Sequence, residues 1–151
     1  MQKAYKLAIF YYLIFTMLLL LSAVVLFKVK IGFGVDDVLS YYMGNEAKFI
    51  IPKSDIGVLK LVLPHILAFG LLGMVLLHFL VFTKYRYKKS TLVLIYLSFL
   101  SVFLEIFSPI MIIHEFSLFV YVKLFSLFLF LGLIFYVVWL LMKSILDDSR
   151  G

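Results

Sequence analysis

Cysteine is absent from this 151-residue chain, so a disulfide framework, an Fe–S cluster, a thiolate zinc site and a covalently attached c-type haem are all excluded. Charge is scarce: fourteen Lys and Arg and eight Asp and Glu make up 15% of the residues, against about 25% in soluble domains. Strict alternation of polar and apolar residues is missing too, which removes β-barrel spans. The Walker A loop, the Rossmann glycine fingerprint, the HExxH zinc motif and the GxSxG elbow are not found. Gly32-Phe33-Gly34 has no strand before it and no third glycine. These absences argue against an enzyme, a membrane-embedded metal enzyme being the class they leave open.

Apolar residues fill the place of what is missing. The chain is 66% hydrophobic with a mean hydropathy of +1.18, and it carries seventeen Phe and ten Tyr. That composition belongs to a protein dissolved in lipid. The net charge of +6 arises from basic residues dispersed among apolar runs. Its counter-charge is therefore the anionic lipid headgroup rather than nucleic acid.

Four runs are long enough to span a bilayer: residues 7–27, 58–83, 91–113 and 116–142. The first exceeds the apolar core of a cleavable signal and reads as a retained helix. In the second, Pro64 lacks the N–H of the helix ladder, so either the helix kinks near Lys60 or the span begins at Pro64 as a first-turn proline. Short connections predict an all-α, up-down-up-down antiparallel bundle forming a single domain over residues 1–151, with a long outer loop at about 28–57. Within that loop, Val35, Val38, Leu39 and Tyr42 share a helical face. Asp36 and Asp37 occupy the first turn and Gly44-Asn45 supply the stop, which predicts a short amphipathic helix on the membrane surface or capping the bundle. Ser54 or Asp55 is placed to cap the second span. Lys and Arg are densest before the first span, at residues 84–89 and in the tail, which predicts both termini in the cytoplasm.

Ionisable residues within the spans are His65, His78, Glu105 and Lys123, with His114 and Glu115 at the third connection. A charge at membrane depth costs about 2.5–3.5 kcal/mol, so each calls for a partner or a function. His65 and His78 lie about 140° apart around one helix and about 20 Å apart along it, too far to share an ion. One b-type haem, or a divalent metal, between His65 and His114 is the cofactor arrangement the spacing leaves, with Glu105 as a third metal ligand. Two imidazoles and a carboxylate suit Zn, Fe, Mn or Cu(II). The plainer reading of His65 is an imidazole hydrogen-bonded inside the bundle, and for His78 that reading prevails. Thr91, Ser98, Ser101, Glu105 and Ser108 fall within about 100° on the helical wheel. Such a stripe faces the bundle interior, either as hydroxyl glue to neighbouring helices or as a proton or ion path with Glu105 as its relay. Lys123 either snorkels to the interface or neutralises Glu105 or Glu115. Tyr5, Ala8, Tyr12, Thr16 and Ala23 on one face of the first helix, and Gly70 and Gly73 on the second, predict close helix contacts.

The segments Tyr41-Tyr42-Met43-Gly44-Asn45-Glu46, Phe49-Ile50-Ile51-Pro52-Lys53-Ser54, Pro64-His65, His78-Phe79, Leu104-Glu105-Ile106-Phe107-Ser108-Pro109 and Val122-Lys123-Leu124 resemble a group of small uncharacterised bacterial inner-membrane proteins with four helices. The resemblance implies that the outer loop and the Pro-His segment matter, and it supplies no chemistry. Taken together, the residues predict a non-enzymatic subunit or assembly factor of a larger membrane complex, with the lipid bilayer and other membrane subunits as partners. The rival classes are a redox protein holding one haem or metal at His65 and His114, and a small transporter or proton path through Glu105.

Overall fold

The computed structural model describes residues 3–147. Four long helices, α1 (Lys3–Lys30), α3 (Asp55–Phe79), α4 (Lys89–Ile113) and α5 (Leu118–Asp147), run up and down, and a short helix, α2 (Val35–Met43), is set between the first two. All four long helices have the length and hydropathy to cross a membrane, α3 together with the 3-10 turn Leu80–Phe82 that extends it. No strand occurs among the described residues beyond an isolated antiparallel bridge between Asn45 and Ile50.

The packing is uneven. α4 and α5 lie against each other most extensively, α3 leans on α4, and α1 touches the bundle mainly through α5. The inner face of α4 is the polar stripe: Thr91, Ser98, Ser101, Glu105 and Ser108 are all buried, as the wheel predicts. Small serines at the seam let two helix backbones approach closely, the usual means of association where lipid is as apolar as the side chains. The hydroxyls do not cross to neighbouring helices, however. Ser98 donates to the Leu94 carbonyl and Ser101 to that of Ser98, each at 2.8 Å, and Ser108 to that of Leu104. On a membrane helix whose backbone polar groups are satisfied internally, a carbonyl three or four residues back is the nearest acceptor.

Two further expectations about helix faces are corrected. α1 turns Ile9, Leu13, Thr16 and Leu20 inward, a face rotated by about 60° from Tyr5, Ala8, Tyr12, Thr16 and Ala23. Ala8 and Ala23 stay exposed, and the contact is made by that aliphatic face together with Tyr5, stacked on Phe82, and Tyr12, edge to face on Phe79 with its hydroxyl 3.5 Å from the Leu72 carbonyl. At Gly70 and Gly73 a Cβ would meet nothing within 4 Å, so neither glycine marks a close approach.

The second span does not start at Pro64. α3 begins at Asp55, where Ser54 Oγ accepts from the Gly57 amide at 3.2 Å, and it carries Pro64 in its interior. α2 forms where its periodicity predicts and caps the bundle: Val38 and Tyr42 pack with Val58 and Val62 of α3, Ile112 of α4 and Val120 of α5. Gly44 ends it at φ 85°, donating its N–H to the Ser40 carbonyl, and a Cβ there would lie 2.8 Å from the Pro52 nitrogen. Only glycine fits such a turn. Asn45 then pins the loop: its amide and carbonyl pair with Ile50, its Oδ1 accepts from the Lys48 amide at 3.1 Å, and its Nδ2 donates to Ser40 Oγ at 3.2 Å.

The buried apolar residues divide into two clusters. One, at the end carrying α2, contains Val38, Tyr42, Val58, Val62, Ile112 and Val120. The other, nearer the chain termini, is built on residues such as Leu13, Leu76, Leu80, Phe130, Ile134 and Leu141.

Candidate functional site

The polar layer between the two clusters is centred on Glu105 of α4 and on Lys123 and Ser126 of α5. All three are buried, at 6%, 5% and 0% exposure. The buried residues of α5 recur at Val120, Lys123, Ser126, Phe130, Ile134, Val137 and Leu141, steps of three and four that define one helical face. Lys123 and Ser126 therefore point the same way, one turn apart, toward the inward face of α4.

Lys123 Nζ forms an ion pair with Glu105 Oε1 and also donates to the Glu105 backbone carbonyl at 3.3 Å. The second carboxylate oxygen, Oε2, accepts from Ser126 Oγ at 3.0 Å. Of the readings open for Lys123, neutralisation of Glu105 is the one realised. Glu115 instead lies exposed in the third connection, in the left-handed region at φ 68°. On α2, Tyr42 closes the layer from the loop end. Burial pushes its phenol above the ordinary value of 10.0, and the charges of Glu105 and then Tyr41 add to the shift. A charge pair held in this way is neutral overall and satisfied atom by atom, the condition under which a membrane interior tolerates it.

The histidines lie elsewhere. His65 is exposed on α3, where its Nδ1 contacts the Leu61 carbonyl at 2.5 Å and its ring meets Phe69 edge to face at 5.5 Å. A carbonyl only accepts, so Nδ1 is the donor in this contact. His114 caps the end of α4, exposed, with Nε2 3.4 Å from Asp55 Oδ1 at the start of α3. Because His65 follows Asp55 by ten residues, about 15 Å of helix rise separates it from the level of His114. A single ion bound by both imidazoles needs each ring nitrogen about 2 Å away. Glu105 and His114 are nine residues apart, which leaves them about 180° apart around α4. The structure thus does not bring His65, Glu105 and His114 together. Among the described residues no group of three or more His, Asp or Glu side chains is placed to hold a metal. His78 is likewise exposed, with its ring 5.8 Å from Phe82.

Ser126 is the residue of this layer that sequence reasoning missed. Its signal was present, since it follows Lys123 by three residues on a helix otherwise almost wholly apolar at that depth. Ser40 and Tyr42 also join the buried set from α2.

No curated protein and no solved structure matches the chain. Residues 32–150, which run from just after α1 through α2 and the three remaining long helices, match a family described as a transmembrane helical domain. Four membrane-length helices around a buried polar layer agree with that description, and the chain belongs to this family, the Aq_1264_TM transmembrane helical domain.

Proposed function

We propose that this membrane protein is a non-enzymatic subunit or assembly factor of a larger complex in a bacterial inner membrane, with both termini and the 84–89 connection in the cytoplasm. The observation that carries this reading is the internal saturation of the polar layer. Both Glu105 carboxylate oxygens are engaged by Lys123 and Ser126, and the hydroxyls of Ser98, Ser101 and Ser108 by carbonyls of their own helix. The Glu105, Lys123 and Ser126 groups, spent on one another, fix the seat of α4 on α5 and leave that layer little with which to grip a substrate. The outside, by contrast, presents large apolar side chains such as Phe15 and Leu18 on α1 and Leu67 and Leu71 on α3, surfaces that serve lipid or another helix equally well. The density of basic residues at 84–89 supports the orientation.

Photo-crosslinking residues placed at Phe15, Leu18, Leu67 and Leu71 in native membranes test the subunit role. One face should yield a discrete adduct with a second, different chain, identified by mass spectrometry, while the other face yields lipid adducts. Lipid adducts alone at all four positions overturn the proposal. For the orientation, a periplasm-active reporter should work when fused at Asn45 and fail at Lys88; the reverse pattern inverts the topology.

A further inference from the structure

At the end near the termini the chain reverses from the 3-10 turn Leu80–Phe82 into α4 through a connection that is braced from within. Thr83 Oγ1 donates to the Leu80 carbonyl at 2.8 Å and accepts from the Tyr85 amide at 3.2 Å, and Thr91 Oγ1 donates to the Tyr85 carbonyl at 2.7 Å. Thr83, Tyr85 and Thr91 are buried, whereas Lys84 and Arg86 are directed outward. These two cations edge a groove of about 580 Å³ whose remaining lining is Val81, Phe82, Thr83 and Tyr87. Phe82 is held in place by Tyr5, stacked on it at 6.3 Å, and by the ring of His78.

The groove joins two chemistries. Its rim is cationic, and the Arg86 guanidinium is steadied over the Tyr87 ring at 4.4 Å. Its wall, Val81 and Phe82, is exposed and apolar and belongs to the membrane-length segment Asp55–Phe82. We propose that this groove binds one anionic phospholipid of the surrounding leaflet, its phosphate between Arg86 and Lys84 and its first acyl segment along Val81 and Phe82.

Charge complementarity sets the sign of the occupant. Lys84, Arg86 and Lys88 fall within one short connection, and Lys89 opens α4 directly after it. Asp147 takes one donor of Lys84 at 2.7 Å, but an ammonium has three and a guanidinium fork matches phosphate geometry. The apolar wall distinguishes a lipid from a free anion, which has no use for Val81 and Phe82. Tyr85 and Tyr87 in the connection and Trp139, with the Lys143 ammonium 5.3 Å from its ring, are residue types that mark headgroup depth.

The test uses the full chain in nanodiscs of phosphatidylcholine doped with phosphatidylglycerol of the same acyl chains, and reads the lipid retained by native mass spectrometry after release into detergent. Wild type should retain one phosphatidylglycerol in preference to phosphatidylcholine. Arg86→Gln should lower that occupancy about fivefold, the effect of one basic residue at a lipid surface, whereas Lys48→Gln, the same charge change at the opposite end, should leave it intact. Phe82→Ser should also weaken retention with every cation in place. Equal retention of both lipids, equal loss in Lys48→Gln, or displacement of the lipid by inorganic phosphate at matched concentration each overturns the proposal.

Discussion

Removing Lys123 is the most informative perturbation of this bundle. In Lys123→Met the Glu105 carboxylate stays buried, keeps its bond from Ser126 Oγ at 3.0 Å, and loses the ammonium that neutralises it. Stranding one member of a buried pair costs about 3–5 kcal/mol, and a lone charge at membrane depth about 2.5–3.5 kcal/mol, so a loss of about 3 kcal/mol is expected. Glu105→Leu strands the ammonium with the residue-105 carbonyl at 3.3 Å and should cost about as much. The double variant Glu105→Leu/Lys123→Met exchanges the pair for apolar side chains of similar length. Since replacing a whole buried pair is often neutral or better, it should fall within about 1 kcal/mol of wild type. The double-mutant cycle then shows a coupling of about 5 kcal/mol, above the roughly 0.5–3 kcal/mol that residues in contact usually display. Trp139 is the single tryptophan of the chain and sits on α5, so its fluorescence reports equilibrium unfolding in mixed-detergent titrations. Single losses below about 0.5 kcal/mol, or single losses that simply add, are what exposed or independent side chains give. Either result would refute the buried pair.

Three other perturbations follow from the same geometry. Gly44→Ala should destabilise by about 1–3 kcal/mol because a side chain is strained at that backbone conformation, whereas Gly70→Ala, whose Cβ meets nothing, should be tolerated or gain about 0.5–1 kcal/mol of helix stability; thermal melts that rank them the other way contradict the loop geometry. Tyr42→Ala should release α2, costing up to about 3–5 kcal/mol, as for a buried aromatic, and should be read as faster proteolysis of residues 44–53; unchanged resistance argues that α2 is not docked. The Tyr42 phenol is raised above 10.0 in the folded protein. Its contribution is therefore fully present below that pH and declines as pH rises beyond it, because the undocked phenol ionises first; proteolysis-monitored undocking of α2, compared at matched protease activity, should become more frequent above about pH 10 in wild type, and Tyr42→Phe should remove that pH dependence.

Much of this architecture is local and so is written in the sequence. Spans follow from hydropathy, α2 from the spacing of Val38, Leu39 and Tyr42 with a glycine stop, and the inward face of α4 from serines and Glu105 repeating at helical intervals. Polar residues betray the interior of a membrane bundle because lipid rejects them. The same physics hides everything apolar: where core and solvent are both hydrocarbon, a uniformly apolar helix has no sided pattern to read. That is why the rotation of α1, with Ile9, Leu13, Thr16 and Leu20 inward, was settled only by tertiary packing. The entry point of α3 was likewise invisible, since Pro64 is tolerated inside a helix that Ser54 had already capped. His65 carries no local mark of its direction, and it came to lie outside, about 15 Å along α3 from the level of His114. Lys123 had two carboxylates within sequence reach of its helix, and composition could not choose between them. The choice fell to Glu105 because α5 lies along α4 with Lys123 and Ser126 on the contacting face, a relation that only the packed bundle defines.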